Sequence, residues 1–407
     1  ASLNDTLEVV AYDIASMSDM SASNGGTFQA DVTFAAGADI ITATAGTDNV
    51  RLGEGAGDSI ASGGANNVTV GKNAGTAITT GKKATLIGAE AGEALVDGDN
   101  NTAVGYQALT SDTNGEKSVA IGTFALTAQN QSSLTDTHNT AVGYQAGTSV
   151  TTGTSNTFIG ARNGDAVTTG VSNVAVGDEA LGSETTANRS VAVGVGALLN
   201  QNVGGGTNAY NVAIGHAAGN QITTGVENTI VGALAGDALT TGEMTALGFR
   251  AGSSQTTAVG NVLVGSLAGD QITTGGNNTA MGSQALANNQ TSTENTAIGH
   301  DALRYLTTGS ENVAIGSEAG DNLTVGRQNV AVGNQALSGD GNGGRSVAVG
   351  ATALKIADAS GGSDNLSYNV AVGYGAGQDV TTGYYSTMMG GFAGDDMTSG
   401  NRNMYLG

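Results

Sequence analysis

The stretch Asn261–Gly350 writes one short phrase six times: NVLVG, NTAMG, NTAIG, NVAIG, NVAVG and SVAVG, closing on Gly265, Gly282, Gly299, Gly316, Gly333 and Gly350. Every interval is 17 residues. A strict period of this size marks a solenoid, whose units are too small to bury a core alone and must stack on their neighbours. Outward from this stretch, 21 closing glycines run from Gly53 through Gly71, Gly88, Gly105 and Gly122 to Gly373, Gly390 and Gly407. Small deviations fall at Gly71 and Gly248, and larger intervals of 21, 21 and 23 precede Gly143, Gly215 and Gly373. Insertions that leave the phase intact are loops at a corner of the coil. Each of the three follows a unit in which Ser118, Ser190 or Ser346 replaces the usual Asn, preceded by Lys117, Arg189 or Arg345.

The unit has fixed features around its closing Gly. Asn stands four residues before it in 15 of 21 units, and Val, Ile, Leu or Met immediately before it. Ala stands three residues after it in 19 of 20 units, and the next residue is always Gly or Leu. A second Gly, often within Thr-Thr-Gly (Gly81, Gly153, Gly170, Gly225, Gly275, Gly309, Gly383), lies seven residues before the close and reads as a turn with φ > 0. Recurring Gly, Asn and β-branched residues disfavour helix. The fold class is therefore all-β: a parallel β-solenoid, or β-roll, of about 21 coils with a 17-residue period.

In a strand, alternate residues face opposite ways. In NTAVG the Thr/Val and Val/Ile positions share one face, which is expected to supply a bulky apolar core. Asn, Ala and Gly share the other, whose small residues imply that another backbone comes close. The Asn column is expected to form an amide ladder through Asn101, Asn139, Asn156, Asn173, Asn211, Asn228, Asn261, Asn278, Asn295, Asn312, Asn329, Asn369 and Asn403.

Composition agrees with thin coils. Gly is 67 of 407 residues, Pro and Cys are absent, and aromatics are 4 %. Without Cys there are neither disulfides nor thiolate metal sites. The net charge of −22, from 35 acids and 13 bases, repels phosphates and anionic lipid, so neither nucleic acid nor membrane insertion is expected. Such a surface could collect Ca²⁺ weakly. Asp recurs five residues after the close at Asp58, Asp165, Asp237, Asp270, Asp321 and Asp395, but the Gly-rich calcium β-roll pattern is absent and a solvated turn Asp is the plainer reading. No cofactor is expected. His138, His216 and His300 lie far apart, and no nucleophile elbow, P-loop or metalloprotease motif occurs, so the chain does not read as an enzyme. Ice binding is disfavoured because Thr-Thr pairs send their hydroxyls to opposite faces.

SVAIG (Ser118–Gly122), SVAVG (Ser190–Gly194, Ser346–Gly350) and NVAIG (Asn211–Gly215, Asn312–Gly316), each followed by xxA, resemble the head repeats of trimeric autotransporter adhesins and similar repeats of phage tail fibres. The resemblance covers roughly residues 45–407. It implies a parallel β-roll in which three chains pack together and bind host surfaces, with no catalytic residues. The period of 17 is longer than in those heads, so the coil outline differs.

Residues 1–38 are non-repetitive and β-rich, with strands expected at Thr6–Ile14 and Thr27–Phe34 around Asn24-Gly25-Gly26; they read as a cap or assembly segment ahead of the array at 39–407. Large apolar groups gather near both ends, among them Met17, Met20, Met404 and Tyr405. The sequence ends on an ordinary repeat-closing strand, Asn403–Gly407, so head-to-tail contact between copies through those four residues is expected. The functional expectation is a non-enzymatic, self-assembling fibre, extracellular or on a cell or virion surface. The alternative is a receptor-binding segment of a tail fibre or adhesin that recognises a host glycan or other receptor.

Overall fold

The computed structural model describes residues 46–339, 341–357 and 366–407. The chain divides into two compact units, Ala1–Ala43 and Thr44–Gly407. The first lies outside the described residues, and with it the expected strands at Thr6–Ile14 and Thr27–Phe34, Met17 and Met20. The second is a β-solenoid whose rungs form one 21-stranded parallel sheet, with no helix among the described residues.

Consecutive rungs pair in the register the sequence period sets. Val174 lies beside Val191, and Thr279 beside Thr296. The insertions do not disturb it: Val119 still pairs with Thr140, Val191 with Val212 and Val347 with Val370. The first insertion adds a two-residue pairing of its own, Gly115–Glu116 with Thr135–Asp136. The second passes through Gly204, Gly205 and Gly206, all at positive φ. Most of the third is outside the described residues.

The strand faces are the reverse of the expected arrangement. In the strand Thr102–Val104, Ala103 is buried while Thr102 and Val104 are only half-buried. Val313–Ile315 repeats the pattern, with Ile315 39 % exposed. The Asn and Ala positions point into the coil, and the Thr/Val and Val/Ile positions point out. The coil is narrow, so its interior accepts small side chains from the strand and draws its bulk from the corner instead.

That bulk is shared between the centre of the strand and the corner four residues after the closing Gly. Where the strand centre is Ala, the corner can be Leu: Ala103 with Leu109, Ala120 with Leu126, Ala297 with Leu303. Where the centre is large, the corner is Gly. A Cβ on Gly164 would meet the Phe158 ring at Cδ1 2.6 Å away, and one on Gly269 would meet Leu263 Cδ2 at 2.8 Å. The corner residue also has positive φ, 55° at Leu109 and 50° at Leu303. An L-residue there costs on the order of 1–2 kcal/mol, so Leu is used where the Ala beside it leaves volume to fill.

Each closing Gly stacks on the next. Gly105 has φ 136°, and a Cβ on it would lie 2.6 Å from the Gly122 carbonyl. The Thr-Thr-Gly glycines differ from expectation, because none of the seven has positive φ. They are small because the neighbouring rung is close: a Cβ on Gly153 would sit 2.5 Å from the Gly170 carbonyl oxygen. The left-handed residue is instead the one just before the ladder position, as at Asn100 (φ 61°), Lys117 (φ 60°) and Glu294 (φ 60°).

Candidate functional site

The interior Asn column is buried from Asn101 to Asn369. Each Asn side chain works in two directions. Its Oδ1 accepts the backbone N–H of the next rung's ladder residue, as Asn139 does from Asn156 (2.9 Å) and Asn156 from Asn173 (2.9 Å). Its Nδ2 donates to a turn carbonyl 14 residues on: Asn101 to Gly115 (2.7 Å), Asn211 to Gly225 (2.8 Å), Asn369 to Gly383 (2.7 Å). Side-chain amides also meet directly, Asn278 donating to Asn261 (3.2 Å), Asn295 to Asn278 (3.1 Å), Asn312 to Asn295 (3.0 Å) and Asn329 to Asn312 (3.1 Å). Asn228 donates likewise to Asn211 (3.0 Å), and Asn173 reaches the Ala187 carbonyl (2.9 Å). Asn403 stands apart. It is half-buried, its amide reaches Met397 Sδ at 3.5 Å, and its backbone N–H donates to Ser386 Oγ rather than to an Asn.

The ladder position is not Asn at six rungs: Ala84, Ser118, Ser190, Met244, Ser346 and Ser386. At three of these a buried Gln in the following rung splices the gap. Asn139 Nδ2 donates to Gln129 Oε1 (2.9 Å), Asn211 Nδ2 to Gln201 Oε1 (2.8 Å) and Asn261 Nδ2 to Gln255 Oε1 (3.0 Å). Ser is small enough to admit the longer side chain, and Gln201 Nε2 donates to Ser190 Oγ at 2.8 Å. These Gln occupy the interior position seven residues after a closing Gly, which elsewhere holds Ile78, Leu95, Val150 or Ile272.

At two splices a buried carboxylate precedes the Gln. Gln129 Nε2 donates to Asp112 Oδ2 at 2.5 Å, and Gln201 Nε2 to Glu184 Oε2 at 3.0 Å. Asp112 also accepts the Gly115 N–H (3.0 Å). Burial pushes its pKa up, against the opposing pull of these hydrogen bonds. Glu184 accepts three backbone N–H groups, from Thr185, Thr186 and Ala187. Ser346 has no such Gln, since Ala357 stands there, and its hydroxyl is buried without a partner.

On the outside, two columns run the length of the sheet. The position before the closing Gly is Val, Ile, Leu or Met on all 21 rungs, and the position two earlier is Val, Thr or Met. No member of either column is buried. Met404 and Leu406 are the most exposed, at 72 % and 71 %, and Tyr405 is exposed as well. The apolar C-terminal groups separate: Met388 is fully buried in the core, whereas Met389, Tyr374 and Phe392 are exposed.

The Asp column is not uniformly solvated. Asp58 is exposed and paired with Arg51, but Asp165, Asp237 and Asp321 are half-buried against the corner. Burial raises the pKa of all three, and that of Asp321 to about 6, helped by the negative charge of Asp301. Among the described residues no three His, Cys, Asp or Glu side chains group to hold a metal ion. His138, His216 and His300 are exposed and widely separated along the chain.

No protein-family profile matches the chain, and comparisons with curated proteins and with solved structures find no match.

Proposed function

We propose that the protein is a non-enzymatic structural fibre protein, a β-solenoid that packs side by side with copies of itself on an extracellular, cell or virion surface. The observation that carries this reading is the pair of uncharged outward columns on all 21 strands, in a chain of net charge −22. Twenty rung steps at ~4.8 Å make the stripe about 100 Å long. Monomeric proteins rarely leave contiguous apolar patches larger than about 300–600 Å² in water. A second copy is the fitting occupant, because it offers the same uncharged surface at the same rung spacing over the same length. The resemblance to trimeric adhesin heads favours three copies.

The test is mass in solution. Wild type should sediment as a multiple of 39.7 kDa. Placing Glu at Ile298, Ile315 and Val332 together should give monomers with the β circular dichroism retained. A wild-type monomer at micromolar concentration would sink the proposal. Negative-stain images then separate short bundles from end-to-end filaments.

A further inference from the structure

The coils between Gln271 and Thr324 carry a shallow groove of about 410 Å³ on the turn side, away from the two sheet columns. Its long wall is one residue from each of four successive coils: Gln271, Asn288, Tyr305 and Asn322. Gln290 and two threonines form the other wall, and the residues between the walls, such as Leu306 and Leu323, point into the core. Three rung intervals make the groove about 14 Å long, and its spacing is set by the rigid ladder beneath.

The lining is chemically selective. None of its residues carries a formal charge, although the chain has 35 acidic side chains. Each has a hydrogen-bonding group. The amides of Gln271, Asn288 and Gln290 and the Tyr305 hydroxyl have no hydrogen-bond partner among the described residues. An amide both donates and accepts, which matches a ligand of vicinal hydroxyls rather than a phosphate or a carboxylate. The two threonines are already committed, Thr307 donating to the Thr324 carbonyl (2.9 Å) and Thr324 to the Gly341 carbonyl (2.6 Å), which fixes that wall.

Tyr305 supplies a platform. It is 40 % exposed, and the Arg304 guanidinium lies 5.1 Å from its ring centroid. Arg304 is in turn held by Asp301 at 3.2 Å, so one face of the ring is backed before any ligand arrives. An aromatic face beside neutral amides suits a ligand that is apolar on one side and hydroxylated at its rim.

We propose that this groove binds a neutral oligosaccharide, lying along the solenoid axis with one sugar ring on Tyr305 and its hydroxyls on Gln271, Asn288 and Gln290. The site is separate from the sheet face and does not rest on the self-assembly reading.

Titration calorimetry of the full chain with cellotetraose, maltotetraose and chitotetraose tests it, with a sulfated tetrasaccharide as the charged comparison. At least one neutral probe should bind saturably and more tightly than the sulfated one. Tyr305→Ala should weaken that binding about tenfold or more, the loss of one stacked ring. Gln290→Ala should weaken it less, and Tyr144→Ala on another coil should leave it unchanged. Because Tyr305 is exposed, its variant is expected to keep the wild-type melting curve. Absence of binding by all three neutral probes, preference for the sulfated probe, or binding indifferent to Tyr305→Ala would each overturn the proposal. The oligomer mass, read on the same samples, is independent of all these outcomes.

Discussion

The coils from Asn278 to Asn329 and the coils around Ser118 and Ser190 solve the same problem differently. In the first, an unbroken run of Asn satisfies one rung with the next. In the second the Asn is missing, and the interior position seven residues after the closing Gly changes from an aliphatic residue to a carboxylate followed by Gln, Asp112 with Gln129 and Glu184 with Gln201. Both arrangements give the Nδ2 of the next rung's Asn an interior side-chain acceptor. They differ in what they bury: the plain coils bury neutral amides between aliphatics, whereas the spliced coils bury an ionisable group that depends on its neighbour. Both of these Ser-bearing coils are followed by insertions, as is the coil of Ser346. Splice and insertion are nevertheless separable: the insertion after Ser346 is passed without a Gln, and Gln255 splices the rung after Met244 where no insertion follows.

The sharpest way to break the comparison is Gln129→Leu. It restores the aliphatic column but strips Asp112 Oδ2 and Asn139 Nδ2 of their shared partner, and should cost about 3 kcal/mol or more, since a buried carboxylate oxygen is left without its side-chain donor. Combining it with Asp112→Leu and Ser118→Asn converts the spliced coil to the plain type and should recover most of the loss. Hydrogen exchange of the amides near Gly115 and Asn139 reads both, because a solenoid can open locally. If the single variant were no less stable than the triple, the carboxylate–amide pair would have no structural role.

A smaller loss is expected in the plain region. Asn312→Leu removes the acceptor for the Asn329 N–H and the donor to the Gly326 carbonyl, and should cost about 1–3 kcal/mol in thermal or urea unfolding. An unchanged melting temperature would mean that water or backbone shifts replace both bonds.

The smallest effect concerns pH. Asp321 holds its proton up to about pH 6 when folded, against an ordinary value of 3.8. The folded chain thus binds more protons than the unfolded chain in that window, so this group's contribution to stability is present below the lower value and declines as pH rises through the upper one. Asp321→Asn should flatten the slope and make the protein slightly more stable near neutral pH. Melting curves of the two chains from about pH 4 to about pH 8 would show it as converging lines toward acid.

Much of the fold was legible because a solenoid is a local object. The 17-residue spacing alone sets which residues become neighbours, so the parallel register and the columns follow from counting. The Gly-or-Leu alternation was also visible, although its cause was not. Volume is conserved between Leu at one place and Phe158 or Leu263 at another, and that trade can be recognised only once both are known to share one interior. The Gln splices left a readable trace, since Gln129, Gln201 and Gln255 each follow the loss of an Asn by 11 residues.

By itself the sequence determined the period, the β class, the Asn column and the phase-keeping insertions, because each depends on residues recurring at fixed intervals along one chain. It could not decide which strand face is inside. Alternation supplies two faces and no sign, and apolar content argued for the Val/Ile side. Only the closed coil decides it: the interior is too narrow for two branched side chains per strand, so Asn and Ala go in and the branched residues go out. The groove beside Tyr305 likewise exists only in three dimensions, where residues 17 apart in sequence stand on consecutive rungs and uncharged side chains from four coils meet.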